Sequence, residues 1–118
     1  MSAALQNYLR TYRKRAGFTQ EEVAFLLGSQ SGAKVSRYER RVRRPNLETV
    51  FAYEALFGVP ARELFAGLFQ KVERDVLDRT QQLIQSLATV EANRVVTRKL
   101  TALRALAGAV KTGPTKTT

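Results

Sequence analysis

The sequence contains no cysteine, no histidine and no tryptophan, and only one methionine and three prolines among its 118 residues. The lack of cysteine excludes disulfides and thiolate metal sites. The lack of histidine removes the commonest general base and the commonest metal ligand. No stretch approaches the ~18 uninterrupted apolar residues of a membrane span, and the first seven residues show no secretory pattern. We therefore expect a cytoplasmic protein with no cofactor, no metal site and no membrane association.

Acidic residues are also scarce, since ten aspartates and glutamates stand against twenty lysines and arginines and give a net charge of +10. Residues 10–44 hold ten of the basic residues and only three of the acids. Basic charge concentrated in one section is the footprint of a polyanion partner. A membrane surface is the weaker alternative, because this section is not one amphipathic helix with a broad apolar face.

Apolar residues recur every three or four positions between glycine and proline boundaries, which predicts five short helices in the first part of the chain. The first covers residues 3–16 and ends at Gly17. Thr19 and Glu22 form a capping box at the start of the second, which ends at Gly28. The third covers residues 32–40. Asn46 caps the fourth, which ends at Gly58, and Pro60 lies in the first turn of the fifth.

The fourth helix is expected to turn an apolar face towards the core. That face comprises Leu47, Val50, Phe51, Leu56 and Phe57. In the third helix, Val35 and Tyr38 are expected to face inward.

The C-terminal part of the chain has a different composition, with no proline and a single glycine, Gly108, between residues 69 and 110. Its apolar residues at helical spacing predict either one very long helix or two helices broken near residues 88–89. Such a stripe needs a cover in water, which favours dimerisation over the alternative that this part folds back onto residues 1–68. We therefore expect a DNA-binding domain at 1–68, a helical dimerisation extension at 69–111 and a disordered tail at 112–118.

The second and third predicted helices, with the small-residue turn 29–32 between them, have the pattern of a helix-turn-helix whose basic second helix enters the DNA major groove. The third helix runs directly into the arginine-rich segment that ends at Pro45. The structural alternative is an ordinary helical hairpin with a solvated basic face.

Residues 9–65 resemble the phage-repressor and Cro type of helix-turn-helix family, also called the xenobiotic-response-element type. The resemblance rests on segments 17–24, 27–28, 35–40 and 44–45, which read GFTQEEVA, LG, VSRYER and RP. It implies an all-α fold, with a five-helix repressor-like domain followed here by a long helical extension. It also implies binding to operator DNA, usually as a dimer.

Two departures from the family pattern concern the third helix. One additional residue lies between Gly28 and Ser36, which the turn or the start of the helix must absorb. Arg41 stands where the family commonly has glycine, so the helix is expected to run on or to end differently, because a left-handed cap disfavours arginine.

The resemblance and the charge pattern together give a set of candidate DNA-binding residues. The residues expected to face the bases are Ser31, Gly32, Ala33, Lys34, Ser36 and Arg37. Arg37 is the best candidate for a bidentate contact to guanine, and Gly32 is expected to allow close approach of the backbone. The residues expected to contact phosphates are Arg13, Gln20, Arg40, Arg41, Arg43 and Arg44. The resemblance also implies an ion pair between Arg13 and Glu39 that locks the first helix onto the third.

Three functions compete on the sequence alone. The leading one is a sequence-specific transcriptional regulator, most simply a homodimeric repressor that binds an inverted repeat in double-stranded DNA. The second is an antitoxin-like protein whose C-terminal helices bind a protein partner. The third, an enzyme, is the weakest, because Glu73, Asp75 and Asp78 are paired with no base or metal ligand.

Overall fold

The computed structural model describes residues 6–29 and 31–112, with side chains through residue 109, and this part of the chain is all-α. The helices are α1 (Leu9–Ala16), α2 (Gln20–Leu26), α3 (Gly32–Glu39), α4 (Leu47–Phe57), α5 (Ala61–Leu64), α6 (Ala66–Leu87) and α7 (Arg94–Thr112). The described residues fall into two compact units that divide between Gln70 and Lys71. None of the described helices is both long and apolar enough to cross a membrane.

The N-terminal unit has one hydrophobic core, to which α1 to α5 all contribute. Its buried residues are Leu9, Val23, Ala24, Val35, Tyr38, Tyr53 and Leu64. Tyr53 lies at the centre of an aromatic cluster, with ring centroids 6.0–6.2 Å from those of Tyr38, Phe57 and Phe65. The expected inward residues of α3, Val35 and Tyr38, are both buried.

The first helix begins later than the sequence indicated, at Leu9 instead of Ala3, because residues 6–8 are engaged outside it. The Tyr8 amide donates to the Leu64 carbonyl at 2.8 Å, and the Gly67 amide donates to the Gln6 carbonyl at 2.8 Å. These tertiary bonds use backbone groups that a longer helix would need. Residues 1–5 of the predicted helix lie outside the described part of the chain.

The third helix ends one residue earlier than expected, at Glu39, in a left-handed turn. Arg41 has φ of +64°, the conformation that glycine usually supplies. The Val42 amide donates to the Arg37 carbonyl at 2.9 Å and the Arg41 amide to the Tyr38 carbonyl at 3.1 Å. This is the double hydrogen bond of a Schellman cap. The expectation that arginine at this position would make the helix run on or end differently was therefore wrong, because Arg41 adopts the left-handed conformation of a glycine cap.

The buried face of α4 is not the one that the apolar residues suggested. Tyr53 is buried and Val50, Leu56 and Phe57 are partly covered, whereas Leu47 and Phe51 are 66% and 58% exposed. Residues three and four positions from Tyr53 share its face, and Leu47 and Phe51 lie on the other side of the helix. The prediction that these two residues face inward was wrong, because composition alone did not fix the rotation of α4.

The C-terminal part contains two helices, so the alternative of a single long helix is excluded. The break spans residues 88–93, after which Asn93 Oδ1 accepts from the Val96 amide at 2.9 Å and caps α7. The long helix before the break begins at Ala66, three residues earlier than expected. Thr112, assigned to a disordered tail by the sequence, is the last residue of α7, and residues 113–118 lie outside the described part.

Candidate nucleic-acid interface

The helix-turn-helix consists of α2, the turn 27–31 and α3, and the start of each helix is fixed by a side-chain cap. Thr19 Oγ1 accepts from the Glu22 amide at 3.0 Å, while Glu22 Oε1 accepts from the Thr19 amide at 2.9 Å. Ser31 Oγ accepts from the Ala33 amide at 3.0 Å. Because caps of this kind contribute about 1 kcal/mol each, the sequence sets both helix starts locally.

The residues expected to read bases lie along the first two turns of α3, and all but one are accessible to solvent. Ser31 and Ala33 are exposed, and Lys34, Ser36 and Arg37 are half-buried. Within the described residues, neither Lys34 nor Arg37 forms an ion pair. Their charges are therefore not neutralised by a neighbouring carboxylate of this part of the chain.

Gly32 is the exception, because it is buried against α2 instead of facing outward. A Cβ at this position would lie 2.8 Å from Glu21 Cδ and 3.3 Å from the Glu21 amide nitrogen. The glycine therefore allows α2 and α3 to pack closely together. Gly32 therefore faces α2, and its expected role in close approach of the backbone to DNA stays a prediction.

Arg13, Gln20 and Glu39 form a hydrogen-bonded network that connects α1, α2 and α3. Arg13 Nε donates to Glu39 Oε2 at 2.6 Å and Arg13 Nη2 to Glu39 Oε1 at 3.1 Å. Arg13 Nη1 donates to the Phe18 carbonyl at 3.0 Å, and Gln20 Nε2 donates to Glu39 Oε1 at 3.1 Å. The structure thus brings Arg13 and Glu39 together in a bidentate pair, with Gln20 on the same carboxylate.

The Arg13–Glu39 pair is largely removed from water, since the two side chains are 11% and 4% exposed. Charge-assisted, two-pronged bonds are stronger and more directional than neutral ones. The hydrogen bond to Glu39 raises the pKa of Arg13 further above its usual value. The pair therefore holds α1 against the C-terminal end of α3.

Within the described residues, Arg13 and Gln20 each keep N–H groups that form no hydrogen bond. The Arg13 guanidinium has five N–H groups, and the three bonds above use three of them, which leaves two for another acceptor. The Gln20 amide has two N–H groups, of which one points to Glu39. Binding of a phosphate oxygen by either residue is thus compatible with the internal network.

The other expected phosphate-binding residues follow α3. Arg40, Arg41, Arg43 and Arg44 are all exposed, and none of them forms an ion pair within the described residues. Arg40 Nε donates to Ser36 Oγ at 3.2 Å, which orients both side chains along the same side of α3. The segment is therefore a solvent-facing, cationic continuation of the helix.

A concavity of about 520 Å³ lies beside α3 and involves the α2–α3 turn and the start of α4. Ser31, Lys34 and Arg37 line it from α3, and Glu48 and Thr49 line it from α4. Three of the candidate base-reading residues thus line one recessed surface. Glu48 lies outside ion-pair distance of Arg37, so this acid does not occupy the guanidinium.

Two residues that support the site were missed at the level of sequence. Asn7 Nδ2 donates to the Tyr38 carbonyl at 3.1 Å and its Oδ1 accepts from the Leu9 amide at 3.2 Å, so it connects the start of α1 to α3. Tyr53 is buried near Glu39, and burial raises the pKa of its hydroxyl above the usual value. An asparagine two positions before a helix indicates a side-chain hydrogen bond at the helix start. Nothing in the sequence around Tyr53 indicated that it would lie at the centre of the core.

The candidate for enzymatic chemistry does not assemble. Asp75 accepts from Lys71 Nζ at 2.9 Å along an exposed face of α6, and this hydrogen bond lowers the pKa of Asp75. No cluster of three or more acidic, histidine or cysteine residues suited to a metal ion occurs in the described ranges.

Comparison with known proteins identifies the N-terminal unit. A family model described as helix-turn-helix matches residues 9–64, the region from the start of α1 to the end of α5. Neither a curated protein nor a solved structure gives a significant match. The matched range contains the capped α2–α3 pair, the Arg13–Glu39–Gln20 network and the cationic segment after α3. Residues 9–64 are thus similar to the helix-turn-helix family of the phage-repressor and Cro type, a family of DNA-binding regulatory domains.

Proposed function

We propose that the protein is a homodimeric repressor that binds an inverted-repeat operator and occludes a promoter. The observation that carries this proposal is the accessible, unpaired cationic side of α3, on a helix that is capped, packed on α2 and tied to α1 through Glu39. A helix held at both ends places its side chains in a duplex with little loss of conformational freedom on binding.

The base-reading set is Ser31, Ala33, Lys34, Ser36 and Arg37, all on the accessible side of α3. Arg37 binds guanine through O6 and N7, a contact that discriminates against the wrong base by about 1–3 kcal/mol. Lys34 reaches guanine or a phosphate, and Ala33 contacts a thymine methyl group. The serine hydroxyls donate or accept at a base edge.

The phosphate-binding set is Gln20, Arg40, Arg41, Arg43 and Arg44, with the two free N–H groups of Arg13 as a further contact. These contacts position α3 in the groove without reading sequence. The role of Arg13 is structural first, because three of its N–H groups are used within the protein.

Selection of binding sites from random duplex DNA with the full chain tests this assignment. We expect a guanine in each half-site whose preference disappears with Arg37→Ala. The matched change Arg43→Gln/Arg44→Gln should weaken binding to all sequences about equally, because phosphate contacts carry no sequence information. Recovery of the same guanine preference with Arg37→Ala would contradict the role of Arg37, and failure to select any sequence would contradict operator recognition.

The dimer is assigned to the C-terminal extension because the apolar stripe of α6 is not covered within the described part of the chain. Val72, Val76 and Leu83 are 47%, 40% and 46% exposed along one side of α6. A two-fold dimer would present two copies of α3 about 34 Å apart, one turn of the duplex. Dimerisation through the stripe would therefore explain why the operator is an inverted repeat, since a two-fold dimer binds two symmetric half-sites.

Light scattering of the full chain measures this interface directly. We expect a dimer for the natural protein and a monomer for Val76→Glu/Leu83→Glu, since the charges would lie on the stripe. Gln81→Glu/Gln82→Glu adds the same charge at two other exposed positions of α6 and should remain dimeric. A natural protein that is monomeric would instead favour the second candidate function, in which the same exposed stripe binds another protein.

A further inference from the structure

The two helices of the C-terminal unit differ sharply in charge. Helix α6 mixes three basic with three acidic residues and contains the Lys71–Asp75 ion pair. From residue 92 to the end of the sequence there are six basic residues and no acid. More than half of the net charge of +10 therefore belongs to a helix and tail outside the helix-turn-helix.

The charge on α7 lies on the side that faces solvent. Val96 is buried, and Leu100, Leu103 and Ala107 are half-buried at the three- and four-residue spacing of one helix face. Arg94 and Arg98 share the opposite face with Thr101 and Ala105, and all four are exposed. The covered side of α7 is thus apolar, Val95 and Leu106 are 52% and 38% exposed beside it, and the opposite side presents Arg94 and Arg98 next to the small side chains of Thr101 and Ala105.

This arrangement is unfavourable for the helix itself. Arg94 is the first residue of α7, where the helix dipole disfavours a cation. Arg94 and Arg98 are four residues apart, so their like charges repel each other. Among the described residues no carboxylate forms an ion pair with either of them. An anionic partner outside this part of the chain would relieve both penalties.

We propose that the exposed face of α7 binds the phosphate backbone of duplex DNA, as a sequence-independent contact additional to that of α3. The inference rests on the proposed DNA-binding function. Arginine matches phosphate oxygens with a planar, two-pronged donor set, and Thr101 and Ala105 leave room for a sugar–phosphate strand. The covalent link to the helix-turn-helix raises the effective DNA concentration at α7 once α3 is bound.

A duplex fits these observations better than a membrane does. An interfacial helix buries a broad apolar face in the lipid, whereas Val96 of α7 is buried and Leu100 and Leu103 are half-buried in the protein. A phosphate backbone needs only the outer, cationic face.

The test compares the salt dependence of DNA binding by full-chain variants, with a labelled mixed-sequence 40-base-pair duplex between about 50 and 300 mM salt. We expect Arg94→Gln/Arg98→Gln to make the slope of log K against log salt less negative by about 2 per chain, since each lost phosphate contact changes it by about 0.9. Arg94→Lys/Arg98→Lys should retain most of the slope. Circular dichroism should show unchanged helix content in both.

Arg74→Gln/Arg79→Gln is the matched control, because it removes two exposed cations from α6 instead. An equal change of slope with this control would overturn the proposal, since net charge alone would then explain the effect. An unchanged slope with Arg94→Gln/Arg98→Gln would also overturn it, and loss of binding to phosphatidylglycerol vesicles in that case would assign α7 to a membrane surface. Arg43→Gln/Arg44→Gln tells the two proposals apart. If the helix-turn-helix does not bind DNA, this variant binds DNA as the natural protein does. If only the proposal for α7 fails, this variant still binds DNA more weakly.

Discussion

Glu39 accepts hydrogen bonds from three donors while it is only 4% exposed, so a single carboxylate joins three helices. Glu39→Ala should lower the free energy of unfolding by about 3 kcal/mol, because it leaves the Arg13 guanidinium without its counter-charge in a place with little water. Urea denaturation measures this change.

The double variant Arg13→Met/Glu39→Leu is the informative partner of that experiment. It removes both charges, so we expect it to be more stable than Glu39→Ala. If the double variant is less stable than Glu39→Ala, the Arg13–Glu39 pair does more for the fold than neutralise two buried charges. Either way, DNA binding by the double variant should fall, because Gln20 loses its acceptor.

Tyr53 is 1% exposed, and its hydroxyl has no hydrogen-bond partner among the described residues. Tyr53→Phe should therefore raise the free energy of unfolding by about 1 kcal/mol at neutral pH, since it removes a buried polar group that gains nothing. A decrease of that size would show that the hydroxyl is satisfied by water or by Glu39.

The same residue gives a pH dependence whose sign follows from burial. Burial raises the pKa of Tyr53 above its usual 10.0, so above about pH 10 the unfolded chain releases this proton before the folded one and stability falls as pH rises. Tyr53→Phe should lose less stability between pH 9 and 11.5 than the natural protein. Tyr8→Phe, at an exposed tyrosine, is the control and should change the profile little.

At the scale of single elements, the end of α3 combines a strained residue with a candidate DNA contact. Arg41 adopts a left-handed conformation that disfavours side chains. Arg41→Gly should raise the free energy of unfolding by about 1 kcal/mol while it weakens DNA binding through the lost charge. Thermal denaturation and a DNA titration on the same variant separate the two effects.

Arg40→Gly removes an equal charge one residue earlier, where φ is −84°. There the glycine should lower the free energy of unfolding by about 1 kcal/mol, because arginine is not strained at this φ and glycine is the more flexible residue in the unfolded chain. Similar stability changes for the two variants would mean that the left-handed turn is not strained.

Helix α6 shows how an element tolerates a polar residue in an apolar stripe. Thr80 interrupts the pattern in the sequence, yet it is only 4% exposed and its hydroxyl donates to the Val76 carbonyl at 2.7 Å. The bond satisfies the buried hydroxyl within the helix. Thr80 is thus buried with its polar group satisfied, whereas Val72, Val76 and Leu83 stay exposed.

At the scale of the whole molecule, the net charge of +10 is the dominant property. If a dimer neutralises about six phosphates, the slope of log K against log salt should be near −5. Contacts from α7 would make it steeper. Anisotropy titrations over a range of salt concentrations measure the slope, and nearly salt-independent binding would contradict a phosphate-dominated interface.

The fold class and most of the site were predictable because their causes are local. The capping residues Thr19 and Asn46 start two helices through short-range bonds, and the family resemblance implied the pairing of Arg13 with Glu39. The rotation of α4, the start of α1 and the burial of Gly32 were not predictable, because partners distant in sequence decide each of them.

By itself, the sequence determined a helical chain, the boundaries set by caps and glycines, the cationic section and the helix-turn-helix identity, since these depend on composition and on contacts a few residues apart. Only the tertiary structure decided which side chains face the interior: Gly32 against Glu21, Tyr53 instead of Phe51, and a covered apolar side on α7 that leaves its arginines to solvent. The physical reason is that burial depends on which surfaces pack against each other. The spacing of apolar residues indicates one face of a helix but does not show which element covers it.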